Sequence, residues 1–377
     1  MNAAKFLSFS QATNVISSVG HLRTVLIEGE NGIGKTSIYH ALKAMPQFAN
    51  HIFPGIIDCQ QLADGSIWMP TIDNEMGVSR EIPNDRFGVS KENCKGLDGS
   101  RPVVICLDEI GKAPSYIKPQ LAPLIYERRL GNLYMPEGSV VFATTNLALE
   151  GLGDMLQAHQ RNRLIRIKMR KSNMPEWVQY ATNRGLAPEL ITTVHQYPTV
   201  FDSFTDYLPG GKFADKKLEQ HNPDIFNPRD AAQDAYASPR SMEAASDVIK
   251  CRAGMDDESL QQALEGTVGA PFAAKIMSII RFGDQMPLYE SVVADPTGTP
   301  VPDNAIVQTV QVFKFVNRVS DRNEAEALTT YVERMRGEMR GLFTTVTSKN
   351  LQKASLFMSV PAFTSMLAKN AELLSIR

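Results

Sequence analysis

Three apolar runs of strand length stand out from a mixed background. Val25 to Ile27, Val103 to Leu107 and Val140 to Ala143 are continuous, as in strands of a parallel sheet covered on both faces. Ile165, Ile167 and Met169 alternate with Arg166, Lys168 and Arg170, the period of two of a half-buried strand. Past about residue 172 strand signals nearly vanish. There Leu328, Val332, Met335, Met339 and Leu342 step at helical spacing, which reads as core packing. Ser238 suits a helix N-cap with Pro239 at the first helical position. "VVADPTGTPVPDN", 292–304, reads as a connector rich in proline and glycine. The pattern predicts an α/β fold: a parallel sheet between helices over 1–171, a helical domain over 172–290 and a C-terminal helical extension over 291–377.

Composition changes this picture little. A chain of 377 residues holds two or so domains, and a net charge of −2 with a pI near 6.3 gives no global pull toward nucleic acid or anionic membrane. Cys59, Cys94, Cys106 and Cys251 form no C-x-x-C pair, so neither a zinc site nor a disulfide framework is expected. The N-terminus has no long apolar region, and no segment reaches the roughly 18 apolar residues of a membrane span. A soluble, cytoplasmic protein is the expectation.

Candidate chemistry begins where the first apolar run ends. "LIEGENGIGKTSIYHALK", 26–43, passes from a strand through three glycines into a helix-like pattern beginning at Thr36. Gly29-x-x-x-x-Gly34-Lys35-Thr36 is the strand, glycine-rich loop and helix order of a phosphate-binding loop. Chance would give this pattern in roughly one chain in a hundred. Gly29, Asn31, Gly32, Ile33, Gly34, Lys35, Thr36 and Ser37 would wrap backbone N–H groups around a nucleotide's phosphates, aided by the helix dipole. Lys35 would reach the β- and γ-phosphates of ATP, and the Thr36 hydroxyl would ligate Mg²⁺.

A nucleotide site of this kind needs an acidic partner on another strand, and the second apolar run ends in Asp108-Glu109. Strand C-terminal ends are where open α/β sheets place their ligands. Asp108 would hold Mg²⁺, and Glu109 would orient or deprotonate the attacking water. The third run turns polar at "TTN". Its Asn146 either bonds the γ-phosphate or water, or simply makes a turn. "QRNRLIRIKMRK", 160–171, is the most basic stretch. Arg163 is a candidate arginine finger for a neighbouring subunit's γ-phosphate. The basic residues from Arg161 to Lys171 are alternatively a nucleic-acid contact, although a solvated strand face suits Arg166, Lys168 and Arg170 best. In "ASPRSM", Arg240 is a cation on a helix's first turn. That placement opposes the helix dipole and suggests another use, such as pairing with phosphate.

Taken in this order, the motifs resemble those of an AAA+ ATPase of the MoxR-like branch, over residues 15–320 or so. "LDEIGKAPSYIKPQLAPLIYERRLG" is similar to that branch's Walker B segment with its following helix, and "ASPRSM" to its sensor 2. The resemblance implies Lys35 and Thr36 as Walker A, Asp108 and Glu109 as Walker B, Asn146 as sensor 1, Arg163 as the finger and Arg240 as sensor 2. It further implies a P-loop AAA+ core followed by a helical lid, and a homo-oligomeric, hexameric ring with ATP at each subunit junction. Such a ring remodels a protein substrate or adaptor, in this branch often one with a von Willebrand factor A domain. Two stretches depart from the family pattern. The finger region reads Arg161-Asn162-Arg163-Leu164, so either arginine fits. The stretch 208–236 is long and polar, as expected of a mobile loop.

Placement between the second strand and the acidic strand makes 65–90 the candidate pore loop, with Trp68 and Met69 as a polypeptide grip unless Trp68 is buried. A nucleic-acid-associated ATPase, such as a helicase or clamp loader, is the alternative function. The acidic whole and the lack of a DNA-reading helix oppose it.

Overall fold

The computed structural model describes residues 6–75, 77–89, 101–147, 163–207, 211, 221–284 and 286–375. The chain divides into two compact units, Met1–Lys171 and Ser172–Arg377.

The first unit is built on five parallel strands in the order β2-β5-β8-β1-β9. These are β1 (Val25–Gly29), β2 (Ile56–Asp58), β5 (Val104–Asp108), β8 (Val140–Asn146) and β9 (Ile165–Lys168). β1 lies between β8 and β9, with Gly29 opposite Asn146 and Leu26 opposite Arg166. That register sets the ends of the first and third apolar runs side by side. Side chains alternate across the sheet. Leu26, Ile105, Leu107, Val141 and Ala143 pack on one face with Ile117, Leu121 and Leu124 of helix α3 (Ile117–Glu127). Val25, Ile27, Val104, Cys106 and Phe142 pack on the other. There they meet helices α1 (Phe9–Val19) and α2 (Ile38–Lys43). Coverage on both faces explains why these strands are unbroken apolar runs.

Two antiparallel hairpins interrupt the crossovers: β3 (Trp68–Asp73) with β4 (Val78–Pro83), and β6 (Arg129–Leu130) with β7 (Leu133–Tyr134). The candidate pore loop is therefore a hairpin over much of its length. Trp68 is half-buried against the core, whereas Met69 is 57% exposed beside Ile82, its cross-strand partner, at 48%. Adjacent strand residues point to opposite faces, so Trp68 and Met69 do not form one gripping pair.

The second unit is helical among its described residues. One continuous core runs from Trp177 through Phe272 and Phe313 to Phe363. The stripe from Leu328 to Leu342 spans two helices, Arg322–Glu333 and Gly337–Ser348, with a break at 334–336. Of the stretch expected to be mobile, 208–210 and 212–220 lie outside the described residues. Residues 221–236 are irregular but pinned. Asp224 is buried and ion-paired with Lys275, Asn222 donates to the Thr199 carbonyl at 2.8 Å, and Gln233 donates to that of Ile225 at 2.9 Å. The polar residues that made this stretch look unpackable tie it to Thr199 and Lys275 and to itself.

The fold class expected from the pattern, a P-loop-type parallel sheet between helices followed by helices, is the one observed.

Candidate phosphate-binding site at the sheet's C-terminal edge

β1 ends at Gly29, and the chain turns through Glu30 to Ser37 before α2 begins. Regular helix starts at Ile38, two residues later than the pattern suggested. Residues 34–39 close tighter turns instead, with Ser37 N–H donating to the Gly34 carbonyl at 3.1 Å and Tyr39 N–H to that of Thr36 at 3.1 Å. With only six residues in α2, the loop's own amides, more than a helix dipole, would hold an anion. Gly32 and Gly34 have φ of 73° and 90°, conformations that let successive N–H groups turn inward. Gly29 is held to glycine by proximity, since a Cβ there would meet the Ile33 side chain at 2.6 Å and the Met169 carbonyl at 2.9 Å. Among the described residues the amides of Gly32, Ile33, Gly34 and Thr36 find no hydrogen-bond acceptor. Backbone donors left in this way are costly unless an external acceptor meets them. Asn31 is half-buried and Ser37 exposed at the loop's rim.

Lys35 is buried, and its Nζ donates to the carbonyls of Gly29 (2.9 Å) and Glu30 (2.8 Å) and to Asn146 Oδ1 (2.8 Å). Among the described residues, the same Asn146 carries a buried Nδ2 with no acceptor. Thr36 Oγ1 donates to Asp108 Oδ1 at 2.8 Å. β1, β5 and β8 thus deliver Lys35, Thr36, Asp108 and Asn146 to one place.

Glu109 follows Asp108 in the left-handed region, with φ 53°. Its N–H donates to Thr144 Oγ1 at 3.1 Å, and its carboxylate faces Lys112 at 3.2 Å. A non-glycine residue in this region costs on the order of 1 kcal/mol. The turn aims Glu109 away from the strand axis, beside Asp108. Thr144 also donates to Asp108 Oδ1, so one buried hydroxyl ties both acidic residues. Sequence reasoning passed over Thr144, because a threonine inside an apolar strand reads as ordinary β-propensity. The Thr36 hydroxyl and Asp108 carboxylate are hard oxygen donors of the kind Mg²⁺ takes, with phosphate and water completing its shell. They fit that ion chemically.

Cys59 and Cys106 lie under this edge. Burial first, and then Asp108, push both thiols up from their ordinary range, which suppresses thiolate chemistry there.

Arg163 is elsewhere. It is exposed just before β9, at the sheet edge opposite the phosphate loop, with its guanidinium 5.2 Å from the Tyr126 ring centre. Arg161 lies outside the described residues. Arg240 belongs to the second unit, exposed on the first turn of helix Pro239–Lys250, where Ser238 forms a capping box with Ser241. The basic stretch is largely spent within the fold. Arg166 is ion-paired with Glu28 of β1, Lys171 stands 3.8 Å from Glu30, and Lys168 lies over the Phe6 ring.

No protein-family model matches the chain, and no curated protein does. Solved structures are similar at low identity. NtrX from Brucella abortus in complex with ADP is 12% identical over 92% of this chain and 70% of its own, with a TM-score of 0.39. A Thermotoga maritima RuvB mutant is 14% identical over 81% of this chain and 85% of its own, with a TM-score of 0.34. Hsp104 with ATPγS and casein is 14% identical over 92% of this chain and 55% of its own, with a TM-score of 0.32. Likenesses this distant say nothing of what the chain does. Among the described residues no helix is long and apolar enough to cross a membrane.

Proposed function

We propose that the chain is a Mg²⁺-dependent ATPase, an AAA+ protein of the MoxR-like kind, that works as a ring and remodels a partner protein. One observation carries the reading. Three strands bring a buried Lys35 ammonium, the Thr36–Asp108 hydroxyl–carboxylate pair and the Asn146 amide together beside backbone donors that have no acceptor of their own. That arrangement suits a triphosphate.

In this reading the amides of 32–36 and Lys35 bind the β- and γ-phosphates. Thr36 and Asp108 would hold Mg²⁺, which supplies charge neutralisation across the phosphate oxygens. Glu109 orients a water and takes its proton as the water oxygen attacks the γ-phosphorus. The bond from that phosphorus to the β–γ bridging oxygen breaks, and ADP leaves. Asn146 Nδ2 donates to the γ-phosphate or the water. Arg163 acts on a neighbour's nucleotide, and Arg240 couples the helical lid to the phosphate. The lid spans 172–290, and 291–377 extends it. A hexamer acting on a substrate or adaptor, such as one with a von Willebrand factor A domain, follows from the resemblance. Pairing of Arg166 and Lys171 inside the fold weighs against a nucleic-acid-directed ATPase.

The test is Glu109→Gln. It should bind ATP within about threefold of the parent while turnover falls by roughly 10²–10⁴, the range lost with a general base. Locked on ATP, it should also retain the partner in a pull-down from the native host. Brisk hydrolysis by the variant would overturn the assignment.

A further inference from the structure

The last residues of β8 all bear on the site. Asn146 holds Lys35, and Thr145 lies so close to the turn after β5 that a Cβ on Gly111 would come within 2.5 Å of its Oγ1. Thr144 is fully buried. Its hydroxyl reaches both acidic residues, donating to Asp108 Oδ1 and accepting the Glu109 N–H at 3.1 Å. The direction is forced. A hydroxyl has one proton to give and a carboxylate only accepts, so what Thr144 offers Glu109 is a lone pair.

Glu109 is pinned from the other side as well. The Lys112 N–H donates to its carbonyl at 2.9 Å, and the Lys112 ammonium stands 3.2 Å from its carboxylate. The backbone between these ties has φ 53° and ψ 42°. A non-glycine residue stays in that region only where its surroundings over-determine it, and here they do so at the amide, the carbonyl and the side chain. Had the chain run on as a strand, alternation would have turned side chain 109 to the opposite face of the sheet from 108. The turn sets it beside Asp108 instead.

Loss of the Thr144 hydroxyl would fall on Glu109 more than on Asp108. Thr36 donates to the same Asp108 oxygen, so that carboxylate keeps a hydroxyl donor without Thr144. Among the described residues no other side chain meets the Glu109 N–H. We propose that Thr144 is a positioning residue for hydrolysis: by accepting the Glu109 N–H, its hydroxyl fixes the turn that sets where the Glu109 carboxylate meets the attacking water. The inference rests on the ATPase reading above, in which Glu109 is the base, and gives β8 control over that base. Proton transfer tolerates little error in placement. A shift of ~1 Å in a catalytic group costs on the order of 10²-fold in rate, so a hydroxyl that never touches substrate governs turnover.

The test uses the full chain with Thr144→Val, which keeps the shape and removes the hydroxyl, and Thr144→Ser, which keeps the hydroxyl. Turnover is followed under multiple- and single-turnover conditions, ATP affinity with a fluorescent ATP analogue, and folding by thermal melting. Thr144→Val should lower kcat by roughly 10–10², with KM, ATP affinity and the Mg²⁺ concentration for half-maximal rate within about threefold of the parent. Thr144→Ser should recover most of the loss. The sharpest arm places Thr144→Val on Glu109→Gln. A residue that acts only through the Glu109 carboxylate then has nothing left to position, so the residual single-turnover rate should change by less than about twofold. A full further loss in the double variant would overturn the proposal. So would an unchanged kcat in folded Thr144→Val, or a raised Mg²⁺ requirement that accounts for the loss, which would assign the hydroxyl to Asp108 alone. If Thr144→Val does not fold, Thr144→Ala, with no branch to fit, carries the same comparison. In each of these outcomes the parent hydrolyses ATP, Glu109→Gln is slow and the ATPase reading stands. Brisk turnover by Glu109→Gln, or none by the parent, would sink that reading and the inference with it.

Discussion

Asn146 shows how much one side chain carries at this site. Its oxygen helps hold Lys35 and its amide nitrogen is buried without an acceptor, so a single residue both positions the cation and offers a donor to whatever the cation binds. Asn146→Ala leaves Lys35 two carbonyl acceptors, and the lysine should stay in place. The expected outcome is a kcat lower by roughly 10–10³, as when one preorganised transition-state donor is lost, with KM within about threefold. Stability should fall by about 1.5–3 kcal/mol for the lost hydrogen bond to a charged group. An unchanged kcat would remove Asn146 from the chemistry and leave it a structural tie. Asp108, Glu109 and Asn146 could be singled out in the sequence because each stands where an apolar run ends, and Lys35 and Thr36 because they close the glycine-rich loop; the sheet register then sets the strands that carry them side by side. Thr144 and Lys112 could not. Their roles depend on a left-handed turn at Glu109 and a cross-strand hydroxyl, neither of which leaves a local pattern.

The two hairpins act as one element. Asn132, at the turn of the short hairpin, donates its N–H to the Glu81 carbonyl at 3.0 Å and accepts the Glu81 N–H on its side chain. Gly131, at φ 52°, makes the approach possible, since a Cβ there would lie 2.4 Å from the Glu81 oxygen. Gly131→Ala combines that clash with a left-handed backbone and should cost about 1–3 kcal/mol. The cost should be local: hydrogen exchange at the Glu81 and Asn132 amides should speed up by an order of magnitude or more while ATP affinity holds. Unchanged exchange would show that the hairpins are independent. This joint was not legible, because its partners are 51 residues apart. The β3–β4 hairpin was not legible either. "WMPTIDNEMGVSREIP" carries Pro, Asp and Asn, which are poor strand formers, and its apolar positions become a pattern only once folded. Met69, Val78 and Ile82 then share one face, each at least 45% exposed. By contrast β1, β5 and β8 were legible because burial on both faces leaves no room for polar interruption.

At the scale of the molecule, the first unit holds its phosphate loop after the end of β1 and Arg163 just before the start of β9, so Arg163 read as a finger would act on a second copy. Mixing two inactive variants separates action in trans from action in cis. Lys35→Ala removes the phosphate grip but keeps Arg163, whereas Arg163→Ala keeps the grip and loses the finger. Each alone should turn over at least a hundredfold more slowly than the parent, and only Arg163→Ala should retain ATP affinity. Mixed in equal amounts and allowed to reassemble, the two bring an intact cradle against an intact arginine at roughly a quarter of head-to-tail junctions. Turnover should therefore recover toward about a quarter of the parent's if junctions fire independently, and less if they must fire in sequence. The recovery should vanish on dilution below the assembly concentration, since each working junction is an intermolecular contact. An arginine acting within its own chain gives no recovery at any ratio, because no single chain in the mixture carries both groups, and that result would return Arg163 to its place over Tyr126 as a surface cation.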